Sequence, residues 1–535
     1  MKNKADLSTK KMLFKSIKLT AFLLLMALAF IGAAMFVVTP LVLNTIIREH
    51  SAVAISTAFL VVGVLIFGHL IDAISIFFKN KLVQKYNVEA TLIMYRKVFK
   101  LAYDKYIQME PSSLQQRVYS AVVAYSGFYF GTMPSFIVNV VMIVTTLTIT
   151  ATVSPMVSLL MFLTLPLNYF GYKALNKKLG KLSVKLNDIC SDAWKNENAI
   201  ISQIDFIKQN HDNSYLLPMI GKHKNDAQDI TRKVNNYANG MSSILSGANL
   251  IIRNLLTLLL ASMMLQDMDF VGSALFIILV LPYFTSAVSQ LTNTNLSVSA
   301  IRAADVFIDE LTEASEPDGD KSLERIDNIR VDIDEVSIGD KVLIRDAAMN
   351  FKKGDIIGII GGSGKGKSTL AKLIMKFRPS CGIYVNDVPI DEIRNCDYLR
   401  RVSYYSQETP IITDTILSNL SFGRRPMPGK DFEKLEFLKK FPDLNEIILE
   451  NGANLSGGDK QRVSLARFFT EEADIVILDE PTSSLDGETE SDILSAIFHE
   501  AADKIIFLIS HRQENMRFCT HIAKVEDERL VVEEL

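Results

Sequence analysis

Cysteine is scarce in this chain. Four of its 535 residues are cysteine (Cys190, Cys381, Cys396 and Cys519), and no two stand in CxxC spacing. A disulfide framework is therefore not indicated, and in segments placed on the cytosolic side these residues read as reduced structural thiols. Excess charge is also missing. The 57 Lys and Arg nearly balance 60 Asp and Glu, leaving −3, so bulk charge argues against a polyanion partner and against nucleic acid. Low-complexity tracts and short repeats are absent.

What is abundant is apolar sequence, unevenly spread. The chain is 49% hydrophobic yet 22% charged. Up to about residue 300 it alternates long apolar runs with basic stretches, and afterwards it reads as an α/β protein. A membrane span needs roughly 20 apolar residues, and six candidates occur, at 19–44, 53–78, 127–152, 155–173, 240–265 and 269–292. The first is too long for a signal peptide and has no small-residue cleavage pattern. Lysine and arginine crowd the N-terminal tail and the connections between spans 2 and 3 and between spans 4 and 5, whereas the alternate short connections hold only Arg48. By the positive-inside rule both termini are cytosolic, in a cytoplasmic (inner) membrane.

The long connections are patterned. In "EATLIMYRKVFKLAYDKY", Leu92, Tyr95, Val98, Phe99 and Ala102 recur at helical spacing, so the spans are expected to continue as helices into the cytosol. Polar breaks at 109–117 and 202–213 would turn each hairpin. Ionisable residues within spans are costly. Arg253 stands mid-span, His69 and Asp72 lie one turn apart, and span 6 ends in a polar run containing Gln290 and Asn293. An internal water-filled cavity would account for them; pairing with another helix, or a place at the headgroups, would account for Arg253 and Asp72 otherwise.

Residues 311–328 are acidic and polar and read as a linker, separating a membrane domain (1–310) from a second domain (329–535). There "DIIGIIGGSGKGKSTLAKLIM" runs strand, glycine-rich turn, helix. In that context Gly361, Gly362, Ser363, Gly364, Lys365, Gly366, Lys367, Ser368 and Thr369 form a phosphate loop. Its backbone N–H groups cradle phosphate, Lys367 adds charge, and Ser368 offers a hydroxyl to Mg²⁺. "ADIVILDEP" is a second buried strand, ending in Asp479 as a Mg²⁺ carboxylate and Glu480 to polarise the attacking water. "NLSGGDKQR" then places Ser456, Gly457 and Gly458 at what reads as another helix start, a second cradle about ninety residues on. Either both helix starts converge within one chain, or two copies face head to tail and each cradle meets the other's.

These motifs, in this order, resemble an ABC exporter half-transporter: a membrane α-helical six-span exporter domain plus an α/β P-loop ATPase domain, the ABC cassette. The resemblance covers nearly all of the chain. It implies Walker A at 361–368, a Q-loop at Gln407 (a second ligand side for Mg²⁺ and a catalytic position), the X-loop and signature in "ENGANLSGGDKQR" with Glu450 as a coupling residue, Walker B at 475–481, a D-loop ending in Asp486, and the switch histidine at His511. It also implies two coupling helices, at "PSSLQQR" and "SQIDFIKQ", ATP and Mg²⁺ as cofactors, and a dimer: a homodimer, or a heterodimer.

The sequence departs from the family's pattern at several points. Asp459 stands where Gln or Glu is usual, and its shorter arm would loosen signature-helix contacts. Positions 338–340 are Ile, Gly and Asp where an adenine-stacking aromatic is expected. Lys365 replaces a small residue, the stretch from Gln407 to Leu455 is short, the chain stops at "RLVVEEL" without trailing helices, and no peptidase domain precedes span 1. The expected activity is ATP-driven export. A weaker similarity of "ENGANLSGG" and the compact cassette to exporters of microcin-type peptides points to a small peptide cargo. Lipid or multidrug export, siderophore-type import on the same fold, and a nucleotide-gated channel or sensor are the alternatives.

Overall fold

The computed structural model describes residues 6–48, 55–209, 214–266, 270–338, 341–362, 364–380, 382–407, 409–421, 438–526 and 529–535. The chain divides into two compact units, Met1–Ser315 and Glu316–Leu535.

The first unit is helical: α1 (Asp6–Lys15), α2 (Leu19–Arg48), α3 (Ile55–Val98), α4 (Tyr103–Met109), α5 (Pro111–Gly127), α6 (Met133–Val153), α7 (Pro155–Ile201), α8 (Ile204–Gln209), α9 (Leu216–Gln266), α10 (Val271–Asn293) and α11 (Asn295–Glu313). A π-helical turn, Phe128–Thr132, joins α5 to α6. Five helical stretches among the described residues are long and apolar enough to cross a membrane. The fourth expected span, at the start of α7, falls outside that set; Pro166, Asn168, Tyr169 and Tyr172 dilute its apolar character. Exposed apolar side chains such as Phe59, Phe67, Ile74 and Phe77 ring the outer surface of α3, as expected where lipid replaces water and every backbone group is satisfied within the helix.

Further along α3 the buried stripe is Tyr86, Ala90, Met94 and Val98, each one helical turn after the last. It packs on Leu114, Val118 and Tyr125 of α5 and on Phe307 and Leu311 of α11. The apolar residues noted in the sequence at helical spacing, Leu92, Tyr95, Val98, Phe99 and Ala102, do not form this stripe. Of that set only Val98 is buried, while Leu92 and Phe99 face outward. Residue type alone did not distinguish two adjacent apolar faces of one helix. The helix continues past the expected span as far as Val98; α4 ends at Met109, and Glu110, with a φ of 56°, turns the chain before Pro111 opens α5. The second polar break is Ser202–Gln203, before α8; residues 210–213 lie outside the described residues.

Within the span region, α6, α7, α9 and α10 share a core of Ile143, Met161, Leu260, Phe276 and Phe284. Buried in the same region, Asn168 and Asn249 exchange two amide hydrogen bonds, each 2.9 Å, and Asn249 also donates to Ser289 at 3.4 Å.

The second unit is built on one ten-stranded sheet of order β5-β4-β1-β2-β10-β9-β3-β8-β7-β6. Here β1 is Asn328–Ile338, β2 Lys341–Lys352, β3 Ile356–Gly361, β4 Ile383–Val385, β5 Val388–Pro389, β6 Val402–Tyr405, β7 Ile475–Asp479, β8 Ile505–Ile509, β9 His521–Glu526 and β10 Arg529–Glu534. Strands β3, β8, β7 and β6 are parallel neighbours. Of these, β3, β8 and β7 read as near-continuous apolar runs because both faces are covered. Ile357, Ile477 and Phe507 enter one core, and Val476, Leu478 and Leu508 the other.

The paired amides suggest a stability test. Asn168→Leu strands the amide of Asn249 among apolar helices and is expected to cost about 0.6–1.7 kcal/mol. Replacing both residues by Leu should cost less than replacing either alone. Thermal unfolding of the purified variants in detergent reads the difference.

Candidate functional site

The parallel ladder decides where the cassette's chemistry can sit. Ile359, Ile509 and Asp479 lie side by side in neighbouring strands, and Tyr405 of β6 pairs with Leu478 of β7. Strands lie about 4.8 Å apart. The residues at or just beyond their ends therefore emerge along one edge: Gly361 ending β3 and Gly362 after it, His511 after β8, Glu480 after β7, and Gln407 after β6. This carboxyl edge of a parallel sheet is where α/β proteins bind ligands.

After β3 the chain turns through Gly364 and Gly366, at φ of 73° and 99°. Gly366 has further reason to be glycine. A Cβ there would stand 3.2 Å from Leu343 Cβ, in a backbone conformation that costs an L-residue about 1–2 kcal/mol. It caps the helix α12 (Lys367–Ile374). Lys367 is buried, and its ammonium donates to the carbonyls of Gly361 at 2.8 Å and Gly362 at 3.1 Å. A positive charge thus sits inside the loop at a helix N-terminus, which suits an anion of the triphosphate type. Ser368 is exposed at the second helical position, Thr369 is half-buried, and Lys365 points to the surface. Ser363 lies outside the described residues, as do positions 339 and 340 and the side chain of Ile338, where the adenine-stacking aromatic was sought.

Asp479 is buried at the end of β7, and its Oδ2 accepts from the hydroxyl of Tyr404 at 3.0 Å. Carboxylate, hydroxyl and amide oxygens are the hard donors that Mg²⁺ takes, and Asp479, Ser368 and Gln407 each carry one. Glu480 follows at a positive φ of 49°. Its backbone N–H extends the ladder to Ile509 O at 2.9 Å, which holds a conformation of the strained kind that gathers at functional sites. The turn brings Glu480 Oε1 within 2.9 Å of His511 Nε2. Two residues predicted from separate motifs, about thirty positions apart, are thereby direct neighbours.

The second cradle is a helix cap. Ser456 caps α13 (Gly457–Ala466): its Oγ accepts from Asp459 N at 3.2 Å and donates to Asp459 Oδ2 at 2.6 Å. Asp459 does not loosen this helix start. It closes a capping box, because the helix turns tightly enough for the shorter arm to reach back. Burial pushes its carboxyl upward, but hydrogen bonds from Lys440 and Ser456 outweigh that and hold it below the usual carboxylate range. Gly457 and Gly458 pack beside Ser484. Gln461 joins the helix to the loop after Walker B, donating to Ser483 Oγ at 3.0 Å and accepting from Ser484 N at 2.9 Å. Asp486 caps α14 (Gly487–His499) through Thr489 N at 2.9 Å, which lowers its pKa. Glu450 is exposed, in a short 3₁₀ turn ahead of the signature. Among the described residues no hydrogen bond links 456–458 to 361–369.

The sequence reading missed Tyr404 and Glu490. Glu490 is 4% exposed and receives Thr482 Oγ1 at 2.6 Å, Asn515 Nδ2 at 2.7 Å and an ion pair from Arg512. It ties the segment after Glu480 to the segment after His511. Its partners come from separate stretches of chain, so spacing carries no signal for it.

In the helical unit, one cavity of about 490 Å³ is bordered by Asp72, Lys79, Asn139 and Gln290 among others. Asn139 Nδ2 donates to Gln290 Oε1 at 3.2 Å. A second, of about 450 Å³, is more apolar, with Phe136, Tyr169 and Tyr172. Arg253 is half-buried on α9 and borders neither. The side chain of Asn293 lies outside the described residues.

Comparison with known proteins agrees with both halves. The ABC transporter transmembrane region matches residues 19–288, just over half of the chain, and the ABC transporter family matches 344–483. A probable ABC transporter ATP-binding/permease protein of Haemophilus influenzae is 32% identical over 292 residues, 51% of this chain and 52% of its own. An ATP-dependent lipid A-core flippase of Colwellia psychrerythraea is 30% identical over 276 residues, 49% of this chain and 47% of its own. The lactococcin-G-processing and transport ATP-binding protein of Lactococcus lactis is 31% identical over 270 residues, 47% of this chain and 38% of its own. The chain thus spans about half or less of the length of these curated relatives. In overall fold it is similar to a bacterial Atm1-family ABC exporter solved with ATP bound, at a TM-score of 0.83 and 18% identity over 96% of this chain and 95% of that one.

The buried acid supplies the test at this stage. Glu490→Ala leaves Thr482 without its acceptor and Asn515 Nδ2 with Ser510 Oγ alone, while Arg512 is half exposed and finds water. The expected loss is about 2–4 kcal/mol. Glu490→Gln keeps an acceptor oxygen and should lose less than half as much, read as thermal unfolding of the two variants.

Proposed function

The chain belongs to the ABC transporters, a transporter membrane region fused to an ATP-binding cassette, and on that premise we propose that two copies form an ATP-driven exporter in the cytoplasmic membrane with both termini cytosolic. The observation that carries this reading is the separation of the two cradles. One sheet edge gathers the phosphate loop, Asp479, Glu480, Gln407 and His511, while Ser456 is engaged with Asp459 and the loop at 483–484. A second copy, head to tail, supplies the missing face of each site. Residues 1–310 form the membrane part, 311–328 the linker and 329–535 the cassette.

In this reading Lys367 and the N–H groups of 361–369 hold the phosphates of ATP. Ser368, Asp479 and Gln407 hold Mg²⁺, which when bound neutralises charge on the β- and γ-phosphates. Glu480 takes the proton of the attacking water; His511, already beside it, orients that carboxylate and meets the γ-phosphate. Ser456 and the N–H groups of Gly457 and Gly458 close on the partner's nucleotide. Glu450 and Asp486 carry closure toward the membrane part and across the dimer, and 111–117 and 202–209 act as the coupling helices. ATP drives the cycle because it binds the closed dimer more tightly than the open one.

A small peptide is the cargo this reading favours, with the polar cavity of Asp72, Lys79 and Gln290 as its place. The relative named for lactococcin G supports it. The apolar, tyrosine-lined cavity and the relative named as a lipid A-core flippase favour lipid instead. Uptake of precursor peptide or of lipid analogue into inverted vesicles separates them, and vesicle conductance would reveal a channel.

Two variants test the site. Glu480→Gln should bind ATP but hydrolyse it roughly 10²–10⁴-fold more slowly and accumulate as a closed dimer; near-normal ATPase would remove Glu480 from its role. Mixed dimers test the shared site. A chain carrying both Lys367→Ala and Ser456→Arg, paired with a wild-type chain, has a lesion in each head-to-tail site and should be inactive. With one lesion on each chain, one site stays intact and about half the activity survives. The reverse pattern would mean that each chain uses its own two cradles.

A further inference from the structure

The cap on the signature helix has a chemical cost. Ser456 has one hydroxyl proton, and it is given to Asp459 Oδ2 at 2.6 Å. Any phosphate that Ser456 is to bind from the partner cassette needs that same proton. It must take it from a carboxylate, and a carboxylate is a strong acceptor: hydrogen bonds to a charged group are about twice as strong as neutral ones. The carboxylate also adds negative charge beside the place a triphosphate would occupy. That charge is partly cancelled. Lys440 Nζ sits 2.7 Å from Asp459 Oδ1, and Arg462 Nη1 lies 3.6 Å from the same oxygen. Asp459 itself is buried, while the Lys440 side chain is 54% exposed. The shielding therefore depends largely on a surface lysine outside the signature itself.

We propose that Asp459 is a latch on the signature serine, competing with the partner's γ-phosphate for the Ser456 hydroxyl, and that Lys440 sets how firmly the latch holds. Asp459 and Lys440 are positioning residues that act through Ser456. This rests on the shared-site reading above and adds to it a threshold: the sandwich closes only when ATP outcompetes an internal carboxylate. A neutral acceptor at 459 would leave the helix capped and the threshold low. A carboxylate stripped of Lys440 would hold the hydroxyl harder and repel the triphosphate more.

The two substitutions should therefore move ATP dependence in opposite directions. Asp459→Asn is expected to lower the ATP concentration for half-maximal ATPase by about three- to tenfold. Lys440→Ala should raise it by a similar factor and make it more sensitive to salt, since exposed charge is screened. In the double variant the lysine change should have no effect, because Lys440 acts only through the charge at 459. Binding of a fluorescent ATP analogue to the open protein should be the same in all of these. A role limited to capping the helix predicts something else: both substitutions weaken activity together, with lower melting temperatures. Shifts in the same direction, or a Lys440→Ala effect that persists beside Asp459→Asn, would overturn the latch. If Asp459→Asn does not fold, Asp459→Gln serves in its place, with a longer neutral arm for the same cap. Unchanged analogue binding without opposed shifts would sink the latch alone, whereas a wild-type chain that fails to bind the analogue would sink it together with the transporter reading.

Discussion

Registers between four parallel strands hold the nucleotide site together. Ile359, Ile509 and Asp479 stand abreast in β3, β8 and β7. A slip of one residue in any of these pairings would exchange the two core faces, sending Ile477 and Phe507 where Val476 and Leu508 now pack. Burial on both faces makes that slip prohibitive. The same constraint sets His511 next to Glu480, because each lies just beyond the end of adjacent strands. The positive φ of Glu480 is tolerable for the same reason: its N–H bonds to the neighbouring strand at Ile509.

Around this edge the polar contacts do a second task. Glu490 reaches both Thr482 and the Asn515–Arg512 segment. The turn after Glu480 and the turn after His511 are thus tied through one buried acid. On the other side Gln461 bridges the signature helix to Ser483 and Ser484. The Gly457–Ala466 helix is thus joined by direct hydrogen bonds to the loop that follows Glu480.

The helical unit obeys a different rule. Its outer surfaces are apolar and offer no gradient of hydrophobicity to hold helix against helix, so polar contacts and close packing must specify partners. The reciprocal amides of Asn168 and Asn249 and the Asn139–Gln290 bond are such contacts. They are also why polar residues inside spans are ambiguous when read from sequence. Gln290 and Asp72 border a cavity, Asn168 forms a helix–helix clasp beside another, and Arg253 borders neither.

By itself the sequence determined what depends on local chain chemistry. The apolar run lengths disclosed the spans, because a bilayer demands a fixed length of helix. The glycine-rich turn between an apolar strand and a helix was legible too, because few other residues permit the positive φ of Gly364 and Gly366. The order of motifs disclosed the family. Tertiary structure decided what depends on residues far apart in the chain. It chose Tyr86, Ala90 and Met94 over the neighbouring apolar face of the same helix, since only packing against α5 and α11 distinguishes the two. It placed Glu490 and Tyr404 at the site, where no spacing announces them. It also turned Asp459 from a shortened arm into the closing member of a capping box, held by Lys440 nineteen residues earlier, because the worth of a carboxylate is set by which cations fold up beside it.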